Sequence, residues 1–334
     1  MSRLISLDDF ALILEKTRAI GVRRLLRRIL GTDRERTEDQ WSQVSSDRSN
    51  WWDLVEVTRR WNRLITGKAD LTFQHYVAGK YFRRKRGLRA ISIGCGTGRK
   101  EIQWAETGKF KSIEGYDVSD SRIGFARELG RKSKWREHLS FKVGNLYELE
   151  FAPESYDIVI FDNSLHHCTP LGQAVDRAGK WLTAGGILVV NEYVGPNRFQ
   201  WTDDQVAITN ALLQILPARL RRTRDGRLKD RMLRPGWLVI RLNDPSEAAE
   251  SESIPGVLEK QFETLEVKPY GGTILANLLK DIAHNFSGDD RESQDWLGFL
   301  FDAEDRLIES KRVSSDYIFG VYRKRNSKLS IRAN

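Results

Sequence analysis

From residue 89 onward, short apolar runs alternate with helix-length stretches, and this rhythm constrains the fold more than any other feature of the chain. "LRAISIG" precedes "RKEIQWAETG", and "KSIEGYDV" precedes "SDSRIGFARELGRK"; "LSFKVGN", "YDIVIFDNS", a helix near 170–182 and "GILVVNEY" follow. Apolar runs of strand length separated by helical segments are βαβ units, which build a parallel sheet with helices on both faces. The first unit carries Gly94, Gly96 and Gly98 at its strand-to-helix turn. Without a Cβ, such a turn bends sharply and lets a ligand lie against backbone N–H groups at a helix N-terminus.

The spacing of that loop excludes two common occupants. A P-loop needs a lysine followed by Ser/Thr at a fixed distance, and "GCGTGRKEI" has neither the spacing nor the hydroxyl. The dinucleotide fingerprint G-x-G-x-x-G needs a glycine where Arg99 stands. Asp117 closes the second strand in "IEGYDVS", 19 residues after Gly98. A carboxylate at that strand end can accept from both ribose hydroxyls, which argues for a ribosyl ligand. It can equally cap the helix that starts near Ser119.

These motifs together resemble the class I S-adenosylmethionine-dependent methyltransferases. "SIGCGTG" matches the first motif, "GYDVS" the second, "VGNLYEL" the third, "YDIVIFDNSLHH" the fourth and "LTAGGILVVNEY" the strand after it. The resemblance covers roughly residues 88–195, and the wording of "SLHH" and "GG" is most similar to small-molecule methyltransferases with a core like the ubiquinone-biosynthesis C-methylases. It implies a three-layer, Rossmann-like α/β fold with a seven-stranded, mostly parallel sheet. Strands at 262–270 and 315–323 would complete that sheet, the last running antiparallel. The implied cofactor is S-adenosyl-L-methionine, leaving as S-adenosyl-L-homocysteine. Gly94, Cys95, Gly96, Thr97 and Gly98 would lie under its methionine part, Asp117 and Val118 at its ribose, and Asn145 and Leu146 at its adenine. Asp162 and Asn163 would border it from the fourth strand. The family often has an acid where this chain has Asn145, whose carbonyl oxygen can still accept from an adenine amino group.

Three zones frame this core: a helical N-terminal region or lid at 1–88, rich in Trp and Arg, the cofactor-binding domain at 89–323 with a helical insertion at about 196–260, and a polar tail at 324–334. At 334 residues, with 40% hydrophobic and 30% charged side chains, the chain has the composition of an ordinary globular protein. No apolar run approaches the ~18 residues of a membrane span. "MSRLISLDDF" lacks a signal-peptide core, and Cys95 and Cys168 are too few for a disulfide framework, so a cytoplasmic location is expected.

Candidate catalytic groups follow the fourth and fifth strands, whose carboxyl ends face the ligand crevice in such sheets. Asp162, Asn163, Ser164, His166 and His167 stand there as candidate bases; the histidines can take a proton near neutral pH, or are helix-entry residues bonded to backbone. Being adjacent, they are expected to diverge, so that one faces the pocket. Glu192 and Tyr193 stand at the end of the fifth strand, able to contact acceptor or cofactor. Asn197, Arg198 and Gln200 in "GPNRFQW" either grip an acceptor or belong to a capped loop that buries Phe199 and Trp201. Gly271 and Gly272 either shape a pocket rim or make a simple turn. Trp51, Trp52 and Trp61, with Arg59 and Arg60, either roof the pocket or form a helical core, and His75 and Tyr76 are possible reaches into the cleft. Five histidines and two cysteines show no H-x-x-x-H or C-x-x-C spacing, so metal-free catalysis is expected.

The net charge of +9 is clustered at 23–28, 83–86 and 219–234. Such clusters attract nucleic acid, anionic lipid or acidic small molecules, or are solvated helix faces. Residues 22–30, with Arg23, Arg24, Arg27 and Arg28 beside an apolar stripe, could rest on a membrane surface. The leading expectation is methyl transfer to a small molecule, glycan or natural product. An RNA-directed methyltransferase is the alternative, although "DNSLHH" is not the motif of base-amino methylases. A non-catalytic cofactor-binding or membrane-associated scaffold is the third reading.

Overall fold

In a computed structural model that describes Asp8, Asp9, Leu12 and residues 50–237, 239, 240 and 244–325, seven strands form one sheet in the order β3-β2-β1-β4-β5-β7-β6. β1 (Leu88–Ile93), β2 (Phe110–Asp117), β3 (Leu139–Val143), β4 (Tyr156–Asp162) and β5 (Leu182–Tyr193) pair in parallel. β7 (Tyr317–Lys324) runs antiparallel between β5 and β6 (Phe262–Gly271), as the family resemblance implies. The apolar runs of β1 and β4 are buried on both faces, which explains why they read as continuous rather than alternating.

One face of the sheet packs against α5 (Leu171–Trp181) and α7 (Ile254–Gln261) through Ile91, Val159, Phe161, Val175, Trp181 and Leu258. The other packs against α1 (Val55–Thr66), α2 (Phe73–Tyr81) and α3 (Arg99–Glu106), with Trp104 and Phe319 among its buried side chains. α4 (Asp120–Lys132) follows β2 and starts at Ser119, whose hydroxyl accepts from the Arg122 N–H. α6 (Asp203–Ile215) opens with the capping box Thr202/Gln205, in which each side chain accepts from the other's backbone N–H.

A further helical layer joins Trp51, Leu54 and Val57 to Leu213, Leu216 and Leu220, to α8 (Leu275–Leu279) and to α9 (Arg291–Glu309). Trp51 meets Trp61 edge-on at 4.7 Å and Tyr317 at 5.6 Å, so both tryptophans are core rather than roof. Trp52 is exposed. Gly271 and Gly272, at φ 88° and 81°, bring the chain onto Glu304. That fully buried carboxylate accepts from the N–H groups of Gly272, Ile274 and Leu275 and pairs with Arg60 at 3.1 Å. A Cβ on Gly271 would stand 2.4 Å from the Glu304 carboxylate, so this glycine pair serves the helical layer. The arginine stripe at 22–30 lies outside the described residues, as does nearly all of the 324–334 tail. Among the described residues no helix is long and apolar enough to cross a membrane.

Candidate active site

The glycine loop is closed against the end of β2. Gly94 N–H and Cys95 N–H both donate to the Tyr116 carbonyl, at 2.7 and 3.0 Å. Gly94, Gly96 and Gly98 all adopt left-handed φ, at 68°, 55° and 77°. Two of them also admit close neighbours. A Cβ on Gly94 would lie 2.5 Å from Ser164 Cβ, and one on Gly98 would lie 2.8 Å from the Phe141 ring. Gly96 instead faces the Arg122 guanidinium, 3.4 Å from where its Cβ would be.

Asp117 binds this loop together. One carboxylate oxygen accepts from Gly96 N–H and the other from Ser119 N–H, each at 2.9 Å. Asp117 thus ties the glycine loop to Ser119, the N-cap of α4, and each oxygen keeps a second lone pair able to accept a further hydrogen bond. Val118 beside it is 38% exposed, an apolar surface for a base or ribose. Burial pushes the Cys95 thiol well up, so it is an uncharged wall of the loop. Arg122 spans the cleft edge, and burial draws its pKa down against the pull of Asp117.

The remaining cofactor candidates divide. Asn145 is held in a turn, its oxygen accepting from Tyr147 N–H at 3.1 Å, and Leu146 is buried in the core. Asp162 ends β4 next to β1; its Oδ1 accepts from Asn191 at 2.7 Å and from Asn163 at 3.2 Å. Its Oδ2 and the Oε2 of Glu101 are buried with no hydrogen-bond partner among the described residues, and the nearest cation to Asp162 is Lys100 at 3.8 Å. Two such carboxylate oxygens beside the glycine loop suit an ammonium group, so the residues fit the methionine end of S-adenosylmethionine.

Burial pushes the Glu101 carboxyl up to about 7, with the Asp162 charge adding to the effect and the Ser92 hydroxyl opposing it. Because the folded value lies above the unfolded one, the stability contribution is full below about pH 4.5 and is lost as pH rises through 7. Between pH 4.5 and 8 the wild type is expected to lose roughly 3 kcal/mol through this group. In Glu101→Gln that loss disappears; urea unfolding at both pH values would detect it, and identical pH dependence in the two proteins would contradict it.

His166 and His167 close the 3-10 turn Leu165–His167 after β4. The turn is anchored to the cofactor loop by Ser164, whose hydroxyl donates to the Ile93 carbonyl at 2.6 Å. Glu192, fully buried at the end of β5, accepts from Ser164 N–H at 2.9 Å and Leu165 N–H at 2.6 Å. Its other oxygen accepts from Tyr193 N–H at 2.8 Å and bonds His166 Nδ1. Glu192 thus reaches the cleft only through His166, as a positioning residue.

The two imidazoles do not diverge. Their rings lie 4.0 Å apart at 42°, and both Nε2 atoms approach Glu247 Oε1, at 3.6 Å from His166 and 3.9 Å from His167. Each Nδ1 is tied down behind: His166 by Glu192, His167 by Ser246 Oγ at 3.3 Å, which itself donates to Asp244 at 2.6 Å. With the Ser246 hydroxyl donating to Asp244, this chain favours the tautomer with the proton on His167 Nδ1 and the lone pair on Nε2. Burial opposes charge on both rings. In His166 the Glu192 and Glu247 carboxylates outweigh it and push the pKa up to about 10, whereas burial and the neighbouring His166 charge pull His167 down to about 3.

Asp244, Ser246 and Glu247 come from "NDPSEA", which the sequence presents only as a turn-and-cap signal. Arg198, at φ 55°, holds this segment by donating to the carbonyls of Pro245 and Glu247. Asn197, Gln200, Trp201 and Arg234 line an adjoining cavity of about 520 Å³. Tyr193 donates to the Pro196 carbonyl at 3.1 Å and packs between Phe199 and Tyr317; burial pushes its phenol well up. His75 bonds Thr72 and Tyr76 donates to Glu266, so neither joins the cluster.

Residues 84–231 match the family model described as a methyltransferase domain. Erythromycin 3''-O-methyltransferase of Saccharopolyspora erythraea is 29% identical over 108 residues, covering 32% of this chain and 35% of its own. Sterol 24-C-methyltransferase of Clavispora lusitaniae is 23% identical over 158 residues, covering 46% and 41%. The chain therefore spans between a third and a half of the length of these curated relatives. A solved geranyl diphosphate methyltransferase, in complex with GPP and sinefungin, shares the fold at 14% identity and a TM-score of 0.51, over 87% of this chain and 99% of that one. The sheet order, the glycine loop leading to Asp117 and the methyltransferase-domain match over residues 84–231 together support the class I S-adenosylmethionine-dependent methyltransferase superfamily.

Proposed function

We propose that the protein transfers a methyl group from S-adenosylmethionine to a hydroxyl of a small organic or glycosidic acceptor. The similar proteins are named for methylation at oxygen, at carbon and at nitrogen, so their names do not choose the acceptor atom. The observation that carries the choice is the imidazole–carboxylate cluster two residues beyond Ser164, which packs on Gly94. An unionised hydroxyl needs its proton removed as it attacks.

The bound cofactor supplies an electrophilic sulfonium methyl. Asp117 and the Asp162 region orient it, and the cluster receives the acceptor hydroxyl. The acceptor oxygen would bond to the methyl carbon as the carbon–sulfur bond breaks, the electron pair staying on sulfur. The hydroxyl proton passes to His167 Nε2, the nitrogen left with its lone pair by the His167–Ser246–Asp244 chain. The cavity at Asn197, Gln200, Trp201 and Arg234 offers aromatic and polar walls for the rest of the acceptor.

The basic stretch 219–234 favours a small acceptor over RNA, because Arg219, Arg221, Arg227, Arg231 and Arg234 each face an acid of the same chain. Label transfer from methyl-labelled S-adenosylmethionine tests the reading. Hydroxylated natural products and glycosides are expected to accept label, and their O-methylated forms are not; label appearing only in RNA would overturn it.

A further inference from the structure

We propose that His166, His167 and Glu247 form a site for one divalent first-row metal ion, which would hold and ionise the acceptor hydroxyl. One donor atom from each residue lies within 4.8 Å of the other two. At 3.6 and 3.9 Å the two His–Glu247 separations exceed ordinary hydrogen-bond length, and an ion bound there would displace to solvent the proton that Glu247 favours on His166. They suit a shared ion, because ligands bound at about 2.0–2.2 Å sit roughly 3–4 Å from one another.

The support behind the ligands points the same way. A histidine that binds metal through Nε2 commonly gives its Nδ1–H to a carboxylate or other acceptor, which sets tautomer and ring orientation. Here both histidines have that arrangement: Glu192 behind His166, and Ser246 backed by Asp244 behind His167. Glu247, Glu192 and Asp244 supply negative charge against a dication, and Arg122, electrostatically coupled to His167, opposes them. Two imidazoles and one carboxylate suit Zn²⁺, Mn²⁺ or Fe²⁺ rather than a soft thiolate-seeking ion. Cys168 directs its thiol to the Ser164 carbonyl, away from the set. Three protein ligands leave coordination positions open, and Glu247 is 18% exposed, so a hydroxyl from the cleft can complete the shell.

This deepens the proposed function at the same cluster. With an ion bound, the histidines hold metal, and the metal-bound hydroxyl loses its proton to solvent before the oxygen attacks the methyl carbon. Local spacing could not reveal the site, since Glu247 lies 80 residues beyond His167.

The test is calorimetric titration of EDTA-treated full-length protein with Zn²⁺ and, separately, Mn²⁺, with S-adenosylhomocysteine binding measured on every variant. One ion per chain is expected, with affinity at least about 10-fold weaker in Glu247→Gln and in Glu192→Gln. Absence of saturable binding of either ion, or unchanged affinity in Glu247→Gln, would overturn the site. If Glu247→Gln also loses S-adenosylhomocysteine binding, Ser246→Ala decides. It keeps all three ligands and is expected to weaken Zn²⁺ several-fold, and unchanged affinity there overturns the site. Undiminished methyl transfer in EDTA would remove the metal while leaving the methyltransferase reading intact.

Discussion

His167→Ala is expected to lower turnover by roughly 10²- to 10⁴-fold, the range that a positioned acid–base group contributes, while S-adenosylhomocysteine binds within a few-fold of wild type. The separation follows from the architecture. The cofactor loop is fixed by Tyr116, Asp117 and Ser164, none of which depends on the His167 ring. In the proposed reaction His167 Nε2 would be the working atom, as the proton acceptor or as a ligand to the ion, and alanine removes it. Ser246→Ala should give a smaller loss of the same kind, because it frees the Nδ1 position without deleting the ring. Single-turnover kinetics with a hydroxyl acceptor, alongside cofactor titration, would check both. Full turnover in His167→Ala would remove this residue from the chemistry.

The second large effect is expected at Asp117. Its carboxylate organises the loop through the Gly96 and Ser119 N–H groups, and in the proposed site its remaining lone pairs would accept from the ribose. Hydrogen bonds to a charged group are each worth about 1.5–3 kcal/mol, and alanine also leaves two backbone donors without their acceptor. A loss of roughly 3 kcal/mol, on the order of 100-fold in S-adenosylhomocysteine affinity, is therefore expected for Asp117→Ala. Asp117→Asn should recover only part of it, because its amide nitrogen must face the N–H of Gly96 or of Ser119.

The sheet and the cofactor loop were legible in the chain for a physical reason. β1 and β4 are buried on both faces and so appear as unbroken apolar runs, and Gly94 through Asp117 act within a single βαβ unit. The proposed acceptor side was legible only in part. His166, His167 and Glu192 stand at the carboxyl ends of adjacent strands, where strand order alone directs attention. Their convergence depends on Glu247, Ser246 and Asp244, brought in by a segment whose local signal is merely a turn, and held there by Arg198. Arg122 was equally hidden: in the first turn of α4 it reads as a solvated charge, yet it sits against Gly96. The tryptophans of the N-terminal helices could not be divided between pocket and core until their packing against Tyr317 and Tyr270 placed Trp51 and Trp61 in the core.

The most direct measurement is calorimetric titration of the wild-type protein with S-adenosylhomocysteine. Saturable binding at one ligand per chain, weakened about 100-fold by Asp117→Ala, is the expected result. No saturable heat in the wild type, or equal affinity in the two proteins, would contradict a methyl-donor site at the Gly94–Gly98 loop.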